Sequence, residues 1–196
     1  MATIAPIRIK GDWDDGYALD SHIVKSRLIG YDEHGHARWD SVRTELGELL
    51  YQLKYGGDKS ALEPIVSTVS TFLESRKWQV DVVVPVPPSI ARHFQPVAVL
   101  AEGLAKALKI ESCQNCMKKI KNTPGLKNVS DFNERKKLLD GAFEVNRPMI
   151  QGKRVLLLDD LYDSGATMNT VSSALKHSGG AATVYALAIT KTRTLQ

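Results

Sequence analysis

Asp159 and Asp160 stand side by side after an apolar run, Val155-Leu156-Leu157-Leu158, and Asp163-Ser164-Gly165-Ala166-Thr167 follows within a few residues. Adjacent carboxylates are acceptors, which is what a vicinal pair of sugar hydroxyls requires, and their oxygens also suit a hard cation such as Mg2+. The loop behind them leads into a helix. A helix start offers unpaired N–H groups and partial positive charge, which suit a phosphate. Gly165 lets the backbone approach a ligand, and Ser164 and Thr167 add hydroxyl donors. Either carboxylate alone would pass as a cap or turn residue. Two of them after a buried strand, with Ser-Gly-x-Thr at a helix start, exceed what capping needs. The residues from Arg154 to Met168 therefore point to a phosphorylated ribose.

The elements that must position this segment can be read from periodicity. Short strands are expected near Ala18–Ile23, Arg27–Tyr31 and His36–Trp39, with a turn at Asp32–Gly35. Asp40 or Ser41 could cap a helix whose inward face carries Val42, Leu46, Leu49, Leu50 and Leu53, ended by Gly56–Gly57. A second helix is expected from Ser60 to Ser75. Val80–Val86 reads as a strand covered on both faces, stopped by Pro87–Pro88. A helix from Pro96 to Leu108, a strand near Cys116–Ile120, a strand at Val155–Leu158, a helix at Ala166–His177 and a last strand at Thr183–Ile189 complete the order. Strands alternating with helices imply an α/β fold with a mostly parallel sheet and helices on both faces. In such a sheet, ligands bind beyond the carboxyl ends of the strands, where Asp159 and Asp160 lie. Residues 1–40 look like a small hairpin-like appendage and residues 41–196 like the main domain.

Composition bounds the rest. The chain has 196 residues, 43% hydrophobic and 24% charged, and a net charge of +4, which suits a protein handling anions and is too weak to establish nucleic-acid binding. No apolar run approaches the roughly 20 residues that cross a bilayer, and the first residues lack an apolar signal region. A cytoplasmic protein is expected, with no membrane contact. The two cysteines, Cys113 and Cys116, exclude a disulfide framework. Their C-x-x-C spacing lacks the second pair that a zinc site needs, and two buried thiols are the favoured reading. Lys118, Lys119, Lys121, Lys127, Arg135, Lys136 and Lys137 crowd one polar stretch. This is either a solvated face or an anion-handling loop.

The stretch from Val155 to Thr167 resembles the signature of the type I phosphoribosyltransferases. Leu53-Lys54-Tyr55, Val84-Pro85-Val86-Pro87, Asn122-Thr123-Pro124, Glu134-Arg135 and Gly141-Ala142-Phe143 fall in an order similar to the ComF family, phosphoribosyltransferase-like proteins linked to DNA uptake in competent bacteria. The resemblance covers roughly residues 42–190. It implies a type I phosphoribosyltransferase-like fold and binding of 5-phosphoribosyl 1-diphosphate. Asp159 and Asp160 would hold the ribose and Asp163, Ser164, Gly165, Ala166 and Thr167 the 5-phosphate. Ser89 and Arg92 would contact the diphosphate, and Lys121–Arg135 would supply a mobile hood. No metal ligand is directly assigned; Mg2+ is expected through the ligand, with Asp159 and Asp160 as its contacts from the protein. Many members of the family carry an N-terminal four-cysteine module that this chain lacks.

Asp163 has two readings. The 6-oxopurine phosphoribosyltransferases carry Asp at this loop position, where it acts as general base, so Asp163 is a candidate catalytic residue. It would serve equally by ordering the loop. Three functions follow. The first is a ComF-type protein that binds 5-phosphoribosyl 1-diphosphate and transfers its phosphoribosyl group to a nucleobase. The second is 6-oxopurine salvage, for which Tyr185 and Lys191 are the available ring contacts. The third is a non-catalytic module sensing the ligand or binding single-stranded DNA, although Phe132 is the only aromatic in the basic stretch. A homodimer is common in the fold.

Overall fold

The computed structural model describes residues 1–56, 58–88, 94–121 and 131–192. A six-stranded sheet forms the centre. Its order is β1 (Ile7–Arg8), β2 (Asp15–Ser21), β10 (Thr183–Lys191), β9 (Arg154–Tyr162), β5 (Val82–Pro85) and β6 (Glu111–Ser112). Only the β1–β2 pair is antiparallel; the other four pairings are parallel. The apolar runs Val82–Val84 and Val155–Leu158 are buried on both faces, the pattern expected of parallel strands under helices.

The two faces have separate cores. On one, α1 (Glu45–Tyr51), α2 (Leu62–Arg76) and α3 (Pro96–Leu108) pack Leu50, Ile65 and Leu104 against Leu156, Leu158 and Leu187. On the other, α6 (Ala166–His177) packs Met168, Val171 and Leu175 against Val155, Leu157 and Val184. Alternate residues of β9 thus point to opposite cores, and the strand emerges from between the two layers with its next residues, Asp159 and Asp160, at the surface edge.

Three expectations are corrected. Residues 1–40 are not an appendage as a whole: β2 is an internal strand, paired on one side with β1 and on the other with β10. Ala18 and Leu19 are fully buried, one facing each core. Only the hairpin of β3 (Ile23–Tyr31) and β4 (Ala37–Arg43) stands apart as its own two-stranded sheet. The first helix does not begin at Asp40 or Ser41. Both lie in β4, where Asp40 pairs with Arg27 and Ser41 with Ser26, and Val42 is exposed rather than inward. Thr44 is the cap, accepting from the Gly47 amide at 3.0 Å. Finally, β9 runs through Tyr162, so the acidic pair lies within the strand. Hydrogen bonds to β10 continue past the apolar run, with Asp159 opposite Ala188 and Tyr162 opposite Lys191.

Cys113 and Cys116 are buried thiols, as read from the sequence, and Cys116 Sγ donates to the Cys113 carbonyl at 2.9 Å. Burial and the neighbouring Cys113 push the Cys116 thiol well above its ordinary range. Among the described residues, no helix is long and apolar enough to cross a membrane.

Candidate active site

The loop between β9 and α6 is shaped by Gly165. Its φ of +79° lies in the left-handed region, and a Cβ there would run into the Tyr162 ring. Tyr162 is held from the other side by Trp13, edge-on with ring centroids 6.4 Å apart. The glycine thus allows both the tight turn and close packing under it. Gly165 is also the N-cap of α6, and no side chain caps that end. Ser164 Oγ accepts from the Ala166 amide at 3.3 Å, which leaves the next amides of the first turn and the partial positive charge of the helix start for an incoming anion. Gly165→Ala should cost about 1–3 kcal/mol in stability from the positive φ and the ring contact. It should also weaken ribose 5-phosphate binding at least tenfold, as calorimetry would show. Unchanged affinity in a folded variant would remove the loop from the site.

A cavity of about 170 Å3 opens here, lined by Arg135, Asp159, Tyr162, Asp163, Ser164 and Thr167 among others. The structure brings together Asp159, Asp163, Ser164, Gly165, Ala166 and Thr167 around it. Ser89 and Arg92 lie outside the described residues, as do residues 122–130 of the expected hood.

The two carboxylates have different surroundings. Asp160 Oδ2 is 2.8 Å from Lys54 Nζ, and the two side chains are only 19% and 17% exposed. Asp159 Oδ1 accepts the Asp160 amide at 2.8 Å, and no basic side chain among the described residues forms an ion pair with it. Burial, and then the charge of Asp160, push the Asp159 carboxyl up to about 8. One carboxylate is neutralised by an internal cation, and the other by retaining its proton.

Lys54 owes its reach to an unusual local helix. After α1 the chain continues as a π-helical turn over Gln52–Gly56, a wider turn often found where function displaces a residue. Leu53 stays fully buried while its neighbour Lys54 reaches Asp160. Helix α1 is itself pinned to the end of β2. Thr44 Oγ1 donates to the Ser21 carbonyl at 2.7 Å, and Gly47 has no Cβ because one would strike the His22 carbonyl. His22 Nδ1 lies 3.1 Å from Thr190 Oγ1. Burial, with the charges of Lys54 and Arg43, lowers the His22 pKa, so the ring is neutral.

Asp163 is engaged on both sides. Arg135 Nη1 donates to Asp163 Oδ2 at 2.7 Å and to Ser164 Oγ at 2.8 Å, and Thr192 Oγ1 donates to Asp163 Oδ1 at 2.9 Å. Burial works to raise its pKa, but these bonds outweigh it and the net shift is downward. Arg135, from α4 (Phe132–Leu139), reads from the sequence as part of a basic stretch, of the expected hood and of the Glu134-Arg135 resemblance, and not as a contact of Asp163. Tyr185 is remote from the loop: it lies near the start of β10 and stacks on Trp78 with centroids 4.6 Å apart. Lys191 ends β10 beside Tyr162.

No family model matches the chain. Among curated proteins, Competence protein F of Haemophilus influenzae is 28% identical over 105 residues, a match covering 50% of this chain and 45% of that protein. Among solved structures, adenine phosphoribosyltransferase from Saccharomyces cerevisiae is similar with a TM-score of 0.52 at 13% identity, over 85% of this chain and 84% of that one. Glutamine phosphoribosylpyrophosphate amidotransferase from B. subtilis gives a TM-score of 0.50 at 17% identity, over 88% of this chain and 37% of that one. The chain has the type I phosphoribosyltransferase fold. At these identities the likeness establishes the fold alone. In an open α/β sheet ligands bind at the carboxyl ends of the strands, and the acidic pair and the β9–α6 loop lie at that end of β9.

Proposed function

We propose that this chain is a ComF-type phosphoribosyltransferase that binds 5-phosphoribosyl 1-diphosphate with Mg2+ at the β9–α6 loop and transfers the phosphoribosyl group to a nucleobase. The observation that carries the reading is the cavity that Asp159 and Asp163 share with the loop and helix start at Ser164–Thr167, with Asp160 next along the strand. Asp159 and Asp160 accept the ribose hydroxyls, and the amides and hydroxyls of Ser164–Thr167 take the 5-phosphate. A nucleobase nitrogen forms the bond to C1 as the C1–oxygen bond breaks, and the electron pair leaves with the diphosphate.

The residues fit Mg2+ in one particular way. Hard cations take oxygen ligands, and Asp159, which has no ion-pair partner among the described residues, would offer its carboxyl oxygens on giving up its proton. Among the described residues no group of three or more His, Cys, Asp and Glu gathers, so the remaining ligands come from the substrate and water. When bound, the ion neutralises charge on the departing diphosphate. Asp163, held by Arg135 on one oxygen and Thr192 on the other, keeps a lone pair on each with which to accept the acceptor's proton.

Titration calorimetry of the protein with 5-phosphoribosyl 1-diphosphate and Mg2+ tests the reading. Saturable binding that requires Mg2+ supports it; no binding at any Mg2+ concentration ends it.

A further inference from the structure

The hairpin of β3 and β4 has two chemically different sides. Its register pairs Ser26 with Ser41, Leu28 with Trp39 and Tyr31 with Ala37, and an irregularity between Leu28 and Gly30 keeps Tyr31 on the side of Leu28. The Ser26 and Ser41 hydroxyls meet at 2.7 Å on that same side. Lys25, Arg27, Arg38 and Asp40 occupy the other. Charged on one side and apolar on the other is the pattern of a sheet packed on something, yet Leu28, Tyr31 and Trp39 are 40%, 66% and 55% exposed. Two strands alone are marginal in water.

The apolar side continues beyond the hairpin. Arg43 lies on the Trp39 side of β4, and its guanidinium stacks over the Tyr51 ring at 3.7 Å. Tyr55, in the π-helical turn, follows with its ring centroid 5.1 Å from that of Tyr51. Both tyrosines are exposed, by 38% and 66%.

Charge and area decide what covers this surface. A two-fold contact sets a face against its own copy, so an uncompensated charge there meets its like. The paired positions Ser26, Leu28, Tyr31, Ala37, Trp39 and Ser41 are uncharged. At the border, Arg43 is paired with Glu48 at 3.3 Å, and Lys54, beside Tyr55, with Asp160 at 2.8 Å. These charges are neutralised within the chain, which suits a second copy better than a partner recognised by opposite charge. An aromatic side chain carries about 150–250 Å2, so the four rings and Leu28, at their exposures, present about 500 Å2 per copy, or about 1,000 Å2 across two. Stable interfaces begin near about 1,200 Å2, and the serines and Ala37 of the same side make up the difference. Monomers rarely leave so large an apolar patch open.

We propose that the Leu28–Tyr31–Trp39 side of the hairpin, with Tyr51 and Tyr55, is a two-fold contact for a second copy of this chain. The inference is independent of the phosphoribosyl reading. Trp39 is its anchor, since buried aromatics near the middle of an interface contribute most.

Sedimentation velocity on the whole chain from about 1 to 100 µM tests it, the range in which an interface of this size assembles. The wild type should approach twice the chain mass. Trp39→Glu and Leu28→Glu should each weaken association at least about thirtyfold, because each buries an unpaired charge at the contact. Arg38→Glu, on the other side, should change it by less than about fivefold. Acrylamide quenching gives a second readout. Of the three tryptophans, Trp13 is buried and Trp78 stacks on Tyr185, so Trp39 is the one open to the quencher. Quenching should fall as the wild type is concentrated and should lose that dependence in Trp39→Phe. A wild type that stays monomeric overturns the proposal, as does a dimer that survives both glutamate substitutions. Open-ended oligomers in place of a dimer overturn the two-fold contact. Should a glutamate variant fail to fold, the quenching decides: a dimer whose Trp39 is as accessible as in the monomer uses another surface.

Discussion

Asp159→Asn/Asp160→Asn should lose nearly all affinity for 5-phosphoribosyl 1-diphosphate while keeping the fold. Hydrogen bonds to a charged group contribute about 1.5–3 kcal/mol each, so removing both charges should weaken binding by about 10²- to 10⁴-fold. Asn still accepts a hydrogen bond, so the loss should be steepest in the Mg2+-dependent part of the affinity. The substitution is near-isosteric, and the two side chains lie at the strand end outside both cores. Neither carboxylate is needed for the β9–β10 ladder, which uses backbone groups. Calorimetry with Mg2+ on the wild type and the variant reads the effect directly. A double variant that melts like the wild type and binds within threefold of it would remove the acidic pair from the ligand.

The apo protein should lose stability as pH rises from acid towards neutrality and beyond, with Asp159 as the main cause. Its folded-state pKa of about 8 lies above the ordinary value of 3.8, because of burial and then the neighbouring Asp160. The sign follows from linkage. Between those two values the unfolded chain has released a proton that the folded chain retains, so unfolding gains as pH rises. Below 3.8 both states are protonated and the stability is fully present; above about 8 both are ionised and the loss is complete. Within that window one such group changes stability by at most about 1.4 kcal/mol per pH unit. Asp159→Asn removes the titrating group, so the variant should melt higher than the wild type at pH 8.5, with the gap closing towards pH 4. A wild type whose melting temperature does not fall relative to the variant across this range would refute the assignment. The same proton should appear in binding. A cationic ligand complex at Asp159 favours the ionised form, so titration with Mg2+ and 5-phosphoribosyl 1-diphosphate at pH 7 should release protons, seen as a buffer-dependent heat. Asp159→Asn should abolish that release.

These two results bear on why one carboxylate is paired and the other is not. Lys54 neutralises Asp160 at 2.8 Å, which leaves Asp159 as the group that benefits most from an incoming cation. A site with both carboxylates paired would have to break two ion pairs to admit the ligand. A site with neither paired would carry two adjacent uncompensated charges. The observed division lowers both costs.

The stretch from Val155 to Thr167 was legible in the sequence: its apolar run forms β9 and its Ser-Gly-x-Thr leads into α6 as read, while the acidic pair lies inside β9 rather than after it. The sequence by itself also determined the layered α/β fold, because buried β-branched runs and amphipathic helices alternate along the chain and have few other ways to bury their apolar faces. The tertiary structure alone decided the rest. β2 joins the sheet through parallel pairing with β10, which lies more than 160 residues away in the sequence, and no local pattern encodes a partner at that distance. Thr44 rather than Ser41 starts α1, since Ser41 is occupied in a strand pairing that periodicity did not reveal. Lys54, legible only as part of a resemblance, became a site residue because a π-helical turn aims it at Asp160. Arg135, read as part of a basic stretch that is either a solvated face or an anion-handling loop, meets Asp163 and Ser164 across 28 and 29 residues of sequence. Charge and hydrogen-bond complementarity between distant residues is set by packing, and a linear pattern carries no record of it.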